Sequence, residues 1–324
     1  MKVMLVKEAQ SPAFPIVSLD DIGEHAKWYR VSELLPTEQL HTLVQVLAFY
    51  NDNKEQFLAS FNTLTNSIKA LSLNDVTAEL PFQPLSYRDF TLFEEHYIAA
   101  KKGFIDKYYS YISPFINIYE RVANKTCPVL KPEKRWYEYP IYYLGNHLTF
   151  VKDGSEVSIP AYTKELDYEL EIGAILCKKI KNASSKEAES AIGGFVIFND
   201  FSARDVQADE MKCGFGPMKA KNFANSISNV VVTADEILPR LSKLPVSVYI
   251  NDDLVIHSDT RDMYYTIAEA VAYASWEEQL FPGEFLATGT IPGCTGIENG
   301  QMLLSGDIIR LEVDGIGTLT NTVS

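Results

Sequence analysis

Positive charge is scarce in this chain: 29 Lys and Arg stand against 43 Asp and Glu in 324 residues, a formal net charge of −14 at pH 7. Such a surface repels phosphate backbones and anionic headgroups, which argues against nucleic acid or an acidic membrane face as partner. No apolar run is long enough to span a bilayer, and the opening MKVMLVKEAQ has no signal-peptide pattern, so a cytoplasmic protein is expected. The four cysteines, Cys127, Cys177, Cys213 and Cys294, are scattered without metal-binding or redox spacing and read as reduced, structural thiols. A phosphate loop is missing too, since Gly289 and Gly293 in ATGTIPG have no lysine in the required place. Internal repeats, low-complexity tracts and charge runs are absent.

What the chain does have is a carboxylate pair. Glu169 and Glu171 lie two apart in LDYELEIGAIL, with Tyr168, Leu170 and Ile172 between and around them. In a strand the acids share one face and the apolar residues the other. Alone, the pair also suits a solvated strand face. As metal ligands, such hard oxygens fit Mg²⁺, Ca²⁺ or Mn²⁺ rather than zinc or copper. Downstream, Phe195, Val196, Ile197 and Phe198 form a short buried-strand run ending in Asn199 and Asp200, which delivers a third carboxylate. A buried Asp needs a partner or a metal. Ser202 and Asp205 have capping-box spacing, predicting a helix that carries Arg204 and Gln207 in its first turns.

From about Ile159 onward the chain resembles the fumarylacetoacetate hydrolase family. The likeness rests on IPAYTKELDYELEIGAIL, GGFVIFNDFSARDVQ, PMKAKNF and FLATGTIPG, which follow the family's order and spacing. It implies a mixed β-roll and a metal site on Glu169, Glu171 and Asp200. In SYRDFTLFEEHYIAAKKG, Asp89 precedes His96 by seven residues, similar to the long two-domain members. That similarity makes Asp89 a fourth metal ligand and His96 the general base. On its own, the E-E-H-Y setting of His96 reads as the surface of a charged helix. RWYEYPIYYLGN resembles a family segment that would put Tyr143 near substrate. Lys221 in PMKAKNF would supply positive charge beside a developing enolate, and Gln207 and Thr290 would hold substrate oxygens. Arg204 belongs to the same substrate-side set, acting through an ion pair that fixes the metal-bearing segment.

Several positions depart from the family pattern. Pocket tyrosines are replaced by Thr91 and Met211, and a basic residue by Ile105. The carboxylate that supports the histidine falls near Leu304 in one branch and on Ala99 in the other; Glu94 and Glu95 lie close but without the family spacing.

Length and 46% apolar content allow about two domains. A small N-terminal domain is expected over 1–84, where Leu40, Leu43, Val44 and Leu47 form one helical stripe and Phe57, Phe61, Leu64, Ile68 and Leu71 another. Residues 85–324 would be the catalytic domain, with 97–140 as a lid or inserted loop. Further signals are a Ser184–Glu187 capping box, a hairpin around Asn251, Asp252 and Asp253, and a primed turn at Asp314–Gly315. The fold class is therefore α+β and β-rich.

The resemblance implies a metal-dependent hydrolase, most simply with Mg²⁺, that cleaves a carbon–carbon bond in an acylpyruvate or 1,3-diketo acid through a metal-stabilised enolate, in aromatic or amino-acid catabolism. The alternative on the same metal site is a decarboxylase, isomerase or hydratase of a 2-oxo-enoic diacid. A third reading is a metal-binding protein without turnover, against which the joint presence of His96, Lys221 and Gln207 argues. The family also implies a homodimer.

Overall fold

The computed structural model describes residues 1–23 and 25–324. Its centre is the strand Ile192–Asp200, all nine residues of which are buried, paired antiparallel with Leu170–Leu176, all seven of which are buried. Strands covered on both faces read as near-continuous apolar runs, which is why FVIF stands out in the sequence. A 12-stranded mixed sheet grows outward from this pair. On one side Phe285–Ala287 adds to Leu170–Leu176, followed by Tyr87–Phe90 in parallel and then Tyr142–Leu144. A separate five-stranded sheet contains the two C-terminal strands Ile308–Val313 and Gly317–Val323. The architecture is the sheet-rich α+β arrangement expected from the sequence.

On the other side of the central pair the sheet continues through Val231–Thr233 into Lys2–Lys7, so it crosses the boundary drawn at residue 84. The helix Leu43–Asp52 carries Leu43, Val44 and Leu47 of the first predicted stripe, and Lys54–Leu64 carries Phe57, Phe61 and Leu64 of the second. Leu40 precedes the first helix, whereas Ile68 and Leu71 follow the second, Leu71 bridging to Trp28. Within the two helices Leu43, Leu47, Phe57 and Phe61 are buried. They pack in one core with Ile175, Cys177, Val196 and Phe198 from the central strands. Thr42 starts the first of these helices with a reciprocal side-chain cap to Gln45.

Residues 97–140 are largely helical, through Glu94–Tyr108 and Ser113–Ala123. The Ser184 capping box forms as predicted, and so does the tight Asn251–Asp252 hairpin, with both residues at positive φ. At Asp314–Gly315 the turn is longer than predicted: Val313 pairs with Gly317, and Gly315 alone in the intervening loop adopts positive φ. Among the described residues no helix is long and apolar enough to cross a membrane.

Candidate active site

Three strand ends converge on one buried chamber of about 170 Å³. Asp89 comes from Tyr87–Phe90, Glu171 from Leu170–Leu176, and Asp200 closes Ile192–Asp200. Oxygens of these three carboxylates lie within 4.8 Å of one another, close enough to share one cation. The register explains the convergence. Asp89 pairs with Tyr143 on one side and Ala287 on the other, while the Asp200 amide donates to the Glu169 carbonyl at 3.1 Å.

Glu169 lies beside the triad and faces cations. Arg204 Nη2 donates to its Oε1 at 2.6 Å, and Lys221 Nζ donates to its Oε2. Lys221 also donates to Asp200 Oδ2 at 2.6 Å. These charges decide the protonation pattern. Burial alone would raise the Glu169 pKa, but Lys221 and Arg204 overrule it and hold the carboxyl well below the ordinary range. Asp89, Glu171 and Asp200 go the other way, pushed up by burial and by the charge of neighbouring carboxylates, Glu169 among them in every case, with Lys221 only partly offsetting it. A divalent cation suits this set: five buried carboxylates, counting Asp167, face two buried cations, and Asp89 Oδ1 is buried with no hydrogen-bond partner. The buried acidic triad could therefore hold a divalent metal.

Two tyrosines tie the acids together. Tyr87 donates its hydroxyl to Asp89 Oδ2 at 3.0 Å, Tyr143 donates to Asp200 Oδ2 at 2.8 Å, and the two hydroxyls are 3.2 Å apart. Burial holds both phenols protonated well above their ordinary pKa. Tyr143 was expected near the site and lines its chamber. Tyr87 was not, although in the strand Tyr87–Phe90 it shares a face with Asp89 by two-residue alternation.

Glu171 is positioned by the turn after Phe285–Ala287. The Gly289 amide donates to Oε2 at 2.9 Å, and the Thr290 hydroxyl lies 3.4 Å from Oε1. Gly289 has φ +80°, and a Cβ there would meet the Phe90 carbonyl oxygen at 2.2 Å, so only glycine fits. Thr290, His96, Gln207 and Lys221 all line the chamber.

Arg204 is buried and spans the floor. It donates to Asp167 through Nε at 2.7 Å, to Gln207 Oε1 at 2.7 Å and to Thr295 at 2.8 Å, in addition to Glu169. Two of these contacts, to Asp167 and Glu169, are ion pairs. Ser202 and Asp205 do not form the predicted cap. Ser202 donates to the Asp200 carbonyl, Asp205 is taken by the Lys164 amide and the Thr163 hydroxyl, and the helix Arg204–Glu210 begins without a side-chain cap. Alternative donors won because Thr163 and Lys164 approach from a distant loop, which local spacing cannot show.

His96 sits in the first turn of Glu94–Tyr108, at the rim of the chamber, with its Nδ1 against Glu298. Glu298 accepts a second hydrogen bond from the Gly293 amide at 2.8 Å and is almost fully buried. This carboxylate support was sought at Leu304, Ala99, Glu94 and Glu95. Leu304 is 68% exposed, and Glu94 instead accepts from Tyr137 at 2.5 Å. Glu298 reaches His96 because Asp167 anchors its segment, accepting the amides of Gly296 at 2.7 Å and Ile297 at 2.9 Å. Asp167 was not singled out in the sequence, although it continues the two-residue spacing of Glu169 and Glu171 backwards along the chain.

The family described as fumarylacetoacetate (FAA) hydrolase C-terminal matches residues 115–324. An uncharacterized protein of Methanocaldococcus jannaschii is 31% identical over 192 residues, 57% of this chain and 73% of that one. The mitochondrial oxaloacetate tautomerase FAHD1 of Homo sapiens is 28% identical over 167 residues, 52% of this chain and 76% of its own. In structure, the fumarylacetoacetate hydrolase of Exiguobacterium antarcticum covers 100% of this chain and 99% of its own, with a TM-score of 0.68 at 20% identity, a likeness of fold. The match over residues 115–324, together with the whole-chain likeness of fold, places the chain in the fumarylacetoacetate hydrolase family of enzymes.

Proposed function

We propose that the protein is a metal-dependent hydrolase that cleaves a carbon–carbon bond in an acylpyruvate or related 1,3-diketo acid. The observation that carries this reading is the His96–Glu298 pair at the rim of the acid chamber. With Nδ1 engaged, Nε2 is the ring nitrogen left to take a proton, the arrangement of an oriented general base. A divalent cation would be held by Asp89, Glu171 and Asp200 with Glu169 beside them, Mg²⁺ first and Mn²⁺ or Ca²⁺ as alternatives, and when bound would supply Lewis acidity toward a substrate carbonyl.

The chain's own groups then perform the proton and charge work. Water gives a proton to His96 as its oxygen bonds to the acyl carbonyl carbon. The bond from that carbon to the neighbouring methylene breaks, and its electron pair passes to the methylene, spread as an enolate over the adjacent carbonyl. Lys221, buried and fixed by Glu169 and Asp200, places an ammonium beside that developing charge. The proton on His96 returns to the methylene carbon, giving a 2-oxo acid and a carboxylic acid, which releases the remaining water proton to solvent as it ionises. Gln207, its Oε1 held by Arg204, offers its amide N–H groups to substrate oxygens, and Tyr143 and Thr290 complete the polar wall.

A second reading keeps this site without hydrolytic cleavage of a carbon–carbon bond: isomerisation, decarboxylation or hydration of a 2-oxo-enoic diacid. The human relative named an oxaloacetate tautomerase favours it. A panel of acylpyruvates and 2-oxo diacids assayed with Mg²⁺ and Mn²⁺ separates the two. Paired acid and 2-oxo acid products support hydrolysis, whereas enol–keto exchange or carbon dioxide from the diacids alone supports the second reading. The family likeness further supports a homodimer, which the outward stripe of Phe115, Ile118, Tyr119 and Val122 on one helix also favours. A sedimenting species of only 36.4 kDa at micromolar concentration would refute the dimer.

A further inference from the structure

The helix that carries His96 has an apolar stripe with no core beneath it. Ala100, Phe104 and Ile105 recur at helical spacing, yet no residue of Glu94–Tyr108 is fully buried. The stripe faces a cavity of about 440 Å³, whose opposite wall is Ala208 and Met211. This cavity continues the acid chamber, since Thr91, His96, Gln207 and Met211 line both. The two lysines on its border are already engaged. Lys212 Nζ donates to Asp209 at 2.9 Å, and Lys101 Nζ lies over the Tyr97 ring, 5.6 Å from its centroid. Facing the interior of the annex are therefore methyl, thioether and aromatic surfaces.

We infer that this annex is the subsite for the distal end of the substrate and that it selects an apolar tail, alkyl or aryl, over a tail ending in a carboxylate. The inference rests on the reading of the acid chamber as the place where a 2-oxo acid head is held. The chamber's 170 Å³ accommodates the head alone, so a longer substrate must pass His96 and Gln207 into the annex. There a methylene chain or ring exchanges water for Phe104, Ile105 and Met211, which is favourable, while a carboxylate would lose hydration and meet only the border lysines, whose heads rest against Asp209 and the Tyr97 ring.

The test uses two probes with the same head, 2-oxo-4-phenylbutanoate and 2-oxoglutarate, titrated calorimetrically into the full-length protein with saturating Mg²⁺. The phenyl acid is expected to bind at least about tenfold tighter, the ratio that two buried methylenes supply. Ile105→Arg, and separately Met211→Arg at a site exposed enough to leave folding intact, should reverse the order by placing a cation in the annex. Equal affinities, tighter binding of 2-oxoglutarate, no binding of either probe, or variants that keep the wild-type order would overturn the inference. Turnover of aryl and carboxylated acylpyruvates is measured in parallel. Binding preference without hydrolysis of any acylpyruvate would count against the proposed reaction and leave the annex standing; hydrolysis without preference would do the reverse.

Discussion

At the scale of single residues the site divides into acids that face one another and acids that face cations. Asp89, Glu171 and Asp200 share one cation-sized space, with Asp200 also accepting from Lys221, whereas Glu169 is held by both Arg204 and Lys221. Glu171→Gln or Asp200→Asn should therefore weaken Mn²⁺ binding, followed by titration calorimetry, more than Glu169→Gln does. Equal losses across the three variants would put Glu169 in the same coordination set as the others. His96→Ala should lower the rate of acylpyruvate hydrolysis by roughly 10²–10⁴, the contribution of a positioned base. Glu298→Gln should cost part of that, and the double variant should be no worse than His96→Ala, because the carboxylate acts only through the ring. Additive losses would mean that Glu298 works independently. Glu169, Glu171 and Asp200 were legible as a carboxylate group because strand alternation and a strand ending in Asp200 are local patterns, whereas Asp89 and the metal reading came from the family resemblance. Glu298 was not, because its meeting with His96 joins positions 202 apart in the chain and depends on Asp167 holding the intervening turn.

At the scale of elements, the site is a property of strand ends and the turns that follow them. The turn after Phe285–Ala287 brings the Gly289 amide to Glu171, and it can do so only with a positive φ and no side chain against Phe90. Gly289→Ala should cost about 1–3 kcal/mol of stability from backbone strain, read by denaturant unfolding, and weaken metal binding as the amide moves. An unchanged midpoint and affinity would show that the turn relaxes freely. Helical stripes and the Ser184 and Thr42 caps follow from periodicity and short-range hydrogen bonding, so they could be anticipated in part. Strand partners could not. Nothing local in MKVMLV indicates that Lys2–Lys7 pairs with Val231–Thr233, which is why the first 84 residues look separable in the sequence yet share the main sheet. The Ser202–Asp205 pattern misled for the same reason: Thr163 and Lys164, remote in sequence, claim the Asp205 carboxylate.

At the scale of the whole molecule, the buried negative charge links stability to pH and to metal. In the metal-free protein Asp89, Glu171 and Asp200 are held above the ordinary carboxylate range by burial first, then by the charge of neighbouring carboxylates, Glu169 included. The folded state then binds more protons than the unfolded chain just above that range, and stability falls as pH rises through the window. Glu169, held low by its two cations, contributes in the opposite sense only in strong acid. A divalent cation should therefore raise the melting temperature more at about pH 7.5 than at about pH 5.5, where the carboxyls bind protons instead. Increments of the same size at both pH values would contradict this. The reaction itself is tested most directly by the fate of one oxygen atom. With an acylpyruvate as substrate, saturating Mg²⁺ and ¹⁸O-labelled water, the proposed attack by His96-activated water predicts label from solvent in the carboxylic acid product, beyond any exchange into the unreacted ketone. Carbon dioxide or a tautomer as the sole product, with no labelled acid formed, would contradict it.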